Sequence, residues 1–325
     1  MADAFRWAIL GAGKFGREQM GPAIHAADDS VLAAVATSDA AKAEGFRRFA
    51  PDLRVVTDYD QMLADPGIDG VYLPLPNHLH VDWTKRALAA GKHVLCEKPI
   101  AMRAQEIDDL IAARDAAGKL AAEAYMIVHH PQWQRARDLV AEGAIGRLIH
   151  VDGVFSYDNR TDPDNIRNRI ETGGGGLRDI GVYTFGSARF VTGEEPVEVT
   201  GNIRWENGVD TFAHVTAGFP SFTYNAIVSM RMFPRQQMVF HGDKGVLTVS
   251  TPFNTNVFGQ AELHLETAGL TVRTERFPGA NHYKLQVENF IRSARDGAEY
   301  PCPLEFSRGT QRMIDMVFDA ANKPA

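Results

Sequence analysis

The sequence predicts an α/β fold in two parts: a parallel sheet with helices on both faces, then an α+β half with a large, mostly antiparallel open sheet. Three observations carry this. Over the first third, short apolar runs alternate with longer amphipathic ones, as in a covered parallel sheet. A glycine cluster directly follows the first apolar run. Beyond about residue 147, long alternating runs separated by turn residues take over. The 325 residues exceed one ordinary α/β domain, and we expect domains at 1–126 and 127–325.

The elements follow in order. Trp7-Ala8-Ile9-Leu10 reads as a buried strand and residues 14–27 as a helix. Val31 to Ala36 is the second strand, followed by a helical stretch through Ala50. Val55-Val56-Thr57, Gly70 to Leu73, His93-Val94-Leu95 and Leu120 to Met126 complete the parallel set. Leu148 to Tyr157 opens the second half, and further strands fill Val197 to Phe277. Phe240 to Val246 reads as a hairpin around Gly242-Asp243-Lys244-Gly245. Residues 282–296 and 304–322 are closing helices that can pack back on the first domain.

Composition narrows the function. Net charge is −7, which argues against a broad nucleic-acid face. The two cysteines, Cys96 and Cys302, imply reduced thiols rather than a disulfide framework. No signal-peptide pattern opens the chain, and no run approaches the ~20 apolar residues of a membrane span. A cytoplasmic protein with no membrane partner is the expectation.

Gly11-Ala12-Gly13-Lys14-Phe15-Gly16 fits G-x-G-x-x-G between a strand and a helix, the context that a Rossmann dinucleotide site requires. Gly11 permits the tight turn, Gly13 lets backbone approach a pyrophosphate, and Gly16 allows close helix–strand packing. The phosphates would meet free amides at the helix start. The second strand ends Ala36-Thr37-Ser38-Asp39. Thr37 and Ser38 stand where an acidic residue would bond the ribose 2′-hydroxyl. Neither repels a phosphate, Lys14 and Lys42 can add positive charge, and Asp39 can cap the next helix. The expected cofactor is NADP or NAD, leaning to NADP.

Lys98, in Cys96-Glu97-Lys98-Pro99, follows a parallel strand. Open α/β sheets bind ligands at that strand end, where a lysine can polarise a hydroxyl or carbonyl. Further on, Gly173 to Gly176 precede Leu177-Arg178-Asp179-Ile180-Gly181-Val182-Tyr183. Asp179 and Tyr183 are four apart and would share a helix face. A carboxylate beside a phenol can orient a polyol, and the phenol can relay a proton.

With these motifs the chain resembles the family of glucose–fructose oxidoreductase, inositol 2-dehydrogenase and the rhizopine-catabolism oxidoreductases. The matching segments are Gly11 to Gly16, Leu73-Pro74-Leu75-Pro76-Asn77-His78-Leu79-His80, Gly91 to Pro99 and Gly173 to Tyr183. The resemblance implies that Lys98 works at the reacting carbon, with Glu97 and Pro99 shaping the nicotinamide pocket. It also implies that Leu73, Pro74, Asn77 and His80 line the cofactor groove. Read by themselves, Asn77 is a helix N-cap and His80 a packing residue. Tyr183 places the chain nearer the aldose dehydrogenase and dihydrodiol dehydrogenase branch. That branch usually carries an arginine where Val128 stands, so its substrate does not transfer automatically.

Tyr125 can wall the nicotinamide or substrate, and Arg167, in a recurring family segment, can touch substrate. His282 and Tyr283 can reach the same cleft. Arg160, Arg167, Arg169 and Arg178 make one segment basic. They either hold an acidic sugar or phosphorylated substrate, or pair with Glu171, Asp162 or Asp164 or with a subunit partner. Adjacent His129 and His130 do not have metal-site spacing, and no metal is expected.

The expected enzyme moves hydride between NAD(P) and a sugar-like substrate, oxidising an aldose to a lactone or reducing a keto sugar. A trans-dihydrodiol dehydrogenase and a non-catalytic nicotinamide-sensing regulator are the alternatives. An open sheet face that needs cover suggests a homodimer or homotetramer.

Overall fold

The computed structural model describes residues 4–321. Its contacts divide the described chain into two units, 4–129 with 281–308 and 130–280 with 309–321.

The first unit is built on β1 (Phe5–Leu10), β2 (Ser30–Ala36), β3 (Arg54–Val56), β4 (Gly70–Leu73), β5 (His93–Cys96) and β6 (Ala121–Glu123). They form a parallel sheet of order β3-β2-β1-β4-β5-β6. The strand order reverses between β1 and β4, so a crevice opens at their carboxyl ends. Connecting helices are α1 (Gly21–Ala26), α2 (Glu44–Arg47), α3 (Tyr59–Leu63), α4 (His80–Ala89) and α5 (Ala104–Ala117). Burial on both faces explains the continuous apolar strands: Ala8, Leu10, Ala34, Val71, Leu73 and Val94 share one core.

Three elements depart from the sequence expectation. The helix expected over 14–27 is present over 14–26, but widens to a π-turn at Gly16–Met20 before running into α1. A Cβ at Gly21 would lie 2.6 Å from the Gly16 carbonyl, so glycine is required there. The stretch through Ala50 breaks into a 3-10 turn, Ala40–Ala43, and the single turn of α2. The strand expected to reach Met126 stops at Glu123, because its partner β5 ends at the Cys96–Glu123 pair. The chain then turns, with Tyr125 N–H donating to Glu123 O, into a 3-10 turn at Met126–His129.

The second unit holds α6 (Pro131–Ala141), β7 (Leu148–Asp158), α7 (Val182–Thr192), β8 (Glu198–Glu206), β9 (Val209–Gly218), β10 (Thr223–Ser229), β11 (Arg231–Gly242), β12 (Gly245–Val249), β13 (Glu262–Thr267) and β14 (Thr271–Arg276). The sheet order is β14-β13-β12-β11-β7-β10-β9-β8. Only the β7–β10 pair is parallel. The expected hairpin is present, with Asp243-Lys244 joining β11 to β12. One sheet face is apolar, through Val151, Phe155, Tyr224, Phe240 and Leu247.

The other face differs from the apolar surface expected. It carries a row of side-chain hydrogen bonds: Thr200 to Thr216, His214 to Asn225, Asn225 to Asp152, and His264 to Thr274. Alternation along each strand separates these residues from the core set.

The closing helices are α8 (His282–Asp296), in the first unit, and α9 (Leu304–Ala321), within which the division falls. Phe290 of α8 packs against Trp7 of β1, ring centroids 5.1 Å apart. Asn322, the last position expected in that helix, lies outside the described residues.

Candidate active site

In the first unit, the glycine loop, the end of β4 and the end of β5 converge at the switch point. Gly11 sits at φ +110° and its N–H donates to Ala36 O of β2. An L-residue would be strained there. Nothing lies within 4 Å of a Cβ built on Gly13, so that backbone faces open space. The first helical bond runs from Arg17 N to Gly13 O, and the amides of 13–16 precede the hydrogen-bond ladder. This cradle fits a pyrophosphate. A Cβ at Gly16 would lie 3.6 Å from Pro74 Cγ, an ordinary contact. Steric demand therefore falls on Gly11 and Gly21 rather than on Gly16, contrary to expectation.

At the end of β2, Thr37 is buried and its hydroxyl lies in the turn, accepting from Asp39 N at 3.3 Å. Asp39 caps the next turn by accepting from Ala41 N. Ser38 and Lys42 are exposed. Lys42 lines a depression of about 550 Å³ together with Arg17 and Arg48. Lys14 is exposed and 4.0 Å from Glu18.

Around β4 and β5, Leu73 is buried in the core, and its carbonyl accepts from Glu97 N. Asn77 does not cap a helix: it opens a 3-10 turn, and the N-cap position of α4 is Leu79. His80 is fully buried, with Nδ1 2.7 Å from Pro99 O and Nε2 2.7 Å from Leu75 O. Burial holds its pKa below the ordinary value, against the pull of the two carbonyls. Both ring nitrogens lie 2.7 Å from protein carbonyls, and the neutral ring donates to one of them, so His80 packs between the two strand-end loops. Glu97 accepts from Tyr72 OH at 2.6 Å. Burial raises the pKa of Glu97, opposed by Tyr72 and the Lys98 charge. Lys98 follows, half-buried, with a cis bond to Pro99.

Asn281 caps α8 by accepting from Tyr283 N and Lys284 N. The Tyr283 ring meets Phe15 edge-on at 5.5 Å, so α8 supplies a wall of the glycine loop. His282 is buried beside Tyr283. Tyr125 is buried too, its ring against Phe306.

In the second unit, Asp179 lies in a π-turn, Leu177–Gly181, and Tyr183 in the α7 helix that continues it. The wide turn changes the four-residue spacing from that of a regular α-helix, and such turns often mark functional sites. Asp179 Oδ2 accepts from Tyr157 OH at 2.7 Å and pairs with Arg167 Nε at 2.8 Å. Burial and the Asp179 charge raise the Tyr157 pKa well above its ordinary value. The same carboxylate raises that of Arg167. Tyr183 stacks on Phe253, centroids 5.5 Å apart, and lies beside Phe155. A carboxylate held by two donors is a fixed acceptor for a ligand hydroxyl, and a phenol on an aromatic bed is fixed in direction.

The arginines separate. Arg167 pairs with Asp179 rather than with Glu171, Asp162 or Asp164. Arg169 pairs with Glu171, and Arg160 with Asp158. Arg178 lies over the Phe318 ring of α9. His129 meets Asn289 Nδ2, whereas His130 accepts from Gln132 N at the start of α6. Burial lowers their pKa values to about 3 and about 4. Sequence reading missed Tyr157 and Tyr72. Each looks like an ordinary strand aromatic, and its acidic partner is 22 or 25 residues away.

A pyrophosphate cradle, a strand-end lysine and a clamped carboxylate near a phenol define a pyridine-nucleotide oxidoreductase with two domains. Residues 5–125 match the oxidoreductase family with an NAD-binding Rossmann fold, and 133–248 match the C-terminal domain of the same family. The chain belongs to this glucose–fructose oxidoreductase, inositol dehydrogenase and rhizopine-catabolism family, and is an NAD(P)-dependent oxidoreductase. It is 35% identical to an uncharacterized oxidoreductase of Rhizobium meliloti, over 99% of this chain and 98% of that one. It is 33% identical to D-xylose 1-dehydrogenase (NADP(+)) 2 of Haloferax volcanii, over 98% and 97%. A 3-ketoreductase from Actinomadura kijaniata, solved with NADP and TDP-benzene, superimposes with a TM-score of 0.89 at 26% identity, covering 98% of each chain.

Proposed function

We propose that this enzyme transfers hydride between NADP(H) and a carbon of a sugar or sugar-like polyol, using Lys98, Asp179 and Tyr183. The observation that carries the reading is the Tyr157–Asp179–Arg167 clamp, with Tyr183 on the continuing helix. Relatives named as a xylose dehydrogenase and a 3-ketoreductase support sugar chemistry in both directions. The nicotinamide, when bound, accepts or returns the hydride. Asp179 accepts from a ligand hydroxyl and fixes the sugar's orientation. The Lys98 ammonium stabilises negative charge growing on the reacting oxygen. In oxidation the hydroxyl proton passes to Tyr183, which receives it as phenolate, as two electrons leave with the hydride; in reduction the Tyr183 phenol gives that proton to the new hydroxyl.

The cofactor lining on this reading is Gly11, Ala12, Gly13, Lys14, Phe15, Gly16, Thr37, Ser38 and Lys42, followed by Leu73, Pro74, Asn77, Glu97, Lys98 and Pro99, with His80 packed behind them. The depression lined by Arg17, Lys42 and Arg48, with Glu18 as its one carboxylate, is positive on balance and supports NADP over NAD. Tyr125, Arg167 and His282 complete the substrate assignment. A spectrophotometric assay with NAD and NADP against aldoses, keto sugars, inositols and sugar acids tests the reading. Turnover of an aldose or keto sugar with NADP(H) is expected. Cofactor binding with no turnover on any of them would refute it.

We also propose a homodimer or homotetramer working in the cytoplasm. Support comes from two buried thiols, from edge strand β14 and from its exposed Val272 and preceding Leu270. Among the described residues no helix is long and apolar enough to cross a membrane. Light scattering on a size-exclusion peak checks the assembly; a monomer at micromolar concentration contradicts it.

A further inference from the structure

The helix that carries Asp179 and Tyr183 begins without a cap of its own. Its N-cap position is Gly176, and no side chain of the glycine run can accept from the first amides. The acceptor comes from the sheet. Asp210, at the start of β9, is 2% exposed, and its Oδ2 accepts from Leu177 N at 2.6 Å across 33 residues of sequence. The Gly176 amide faces the same carboxylate and favours its charged form.

The glycine run is shaped around this carboxylate. Gly175 sits at φ +117°, and a Cβ there would lie 2.0 Å from Asp210 Oδ1. A Cβ on Gly174 would lie 2.5 Å from the carbonyl of Arg167, so the same loop holds the backbone of the Asp179 partner. Desolvation pushes the Asp210 carboxyl up to about 7, opposed by the amides and by the Arg178 charge. An acid kept at that cost, away from the Asp179 clamp, calls for a role. A π-turn is less regular than an α-turn and needs outside support to hold its register. A carboxyl oxygen accepting from the Leu177 amide supplies that support.

We propose that Asp210 is a positioning residue for hydride transfer: its side chain anchors the start of the π-turn and thereby places Asp179 and Tyr183. This rests on the reading of Asp179 and Tyr183 as the reacting groups. The test uses Asp210→Ala, Asp210→Asn and, as the control for that reading, Tyr183→Phe in the full chain. Readouts are kcat and KM for the sugar, NADP Kd, and amide exchange over 174–183.

We expect Asp210→Ala to lower kcat by at least about ten-fold, with NADP Kd and sugar KM changing less than about three-fold. Asp210→Asn, which keeps one acceptor oxygen, is expected to fall between that variant and wild type. Exchange should quicken at Gly176 and Leu177 in both. Should Asp210→Ala not fold, Asp210→Asn carries the test: a roughly two- to ten-fold kcat loss with local fast exchange supports positioning. Wild-type kcat in Asp210→Asn and Asp210→Ala, beside an inactive Tyr183→Phe, overturns the Asp210 inference alone. Wild-type turnover in Tyr183→Phe overturns the reading beneath it.

Discussion

Asp179 is held by Tyr157 and Arg167, and their energetics are separable. Tyr157→Phe removes one hydrogen bond to a charged group, worth about 1.5–3 kcal/mol, and leaves the Arg167 pair. A lower unfolding midpoint and a higher sugar KM are expected, with NADP affinity unchanged, checked by thermal unfolding and initial rates. Arg167→Leu should weaken sugar binding further, because the buried carboxylate then loses its counter-charge. The Arg167 side chain is 43% exposed, so solvent screening moderates that cost. Asp179, Tyr183 and Lys98 were legible as candidates because each sits in a local motif. Tyr157 and Tyr72 were not, since a phenol's partner in another strand or loop leaves no mark on its neighbours.

Among the elements, two glycine-bearing turns behave differently. Gly175→Ala combines positive φ with a clash on Asp210 and should destabilise by more than about 2 kcal/mol. Gly16→Ala meets only ordinary contacts and should cost about 1 kcal/mol or less; denaturant titration distinguishes the two. Asp210 also gives a pH signature. Its folded pKa is raised to about 7, so its contribution is fully present below the unfolded value and is lost as pH rises through about 7. Asp210→Asn should therefore gain stability relative to wild type between pH 5 and pH 8, read from unfolding midpoints at both. Arg178 is the charged neighbour that limits this shift.

Apolar runs revealed the strands, but the π-turns at Gly16–Met20 and Leu177–Gly181 were hidden. Residues packed against the ladder decide between i−4 and i−5 bonding, and periodicity alone does not contain them. The same limit applies at Leu120 to Met126, where the apolar run continues after the partner strand has ended.

For the molecule as a whole, motif order along the chain was enough to expect both sheets. The parallel β7–β10 pair was not legible, because alternation tells which face is buried and not which strand is adjacent. Nor was the hydrogen-bonded row on the open face, whose His, Thr, Asn and Asp side chains meet only once strands are in register. Cofactor binding should stabilise the folded chain by about 2.7 kcal/mol at a hundred times Kd. Thermal unfolding should show a larger upward shift with NADP than with NAD at equal concentration; equal shifts would remove the support for NADP.

The most direct test is single-turnover hydride transfer in Lys98→Ala and Tyr183→Phe, with NADP affinity measured separately. The expected result is a rate lower by roughly 10²-fold or more in each, with NADP Kd little changed. Near wild-type transfer in both variants, cofactor bound, would contradict the assignment of the chemistry to these residues.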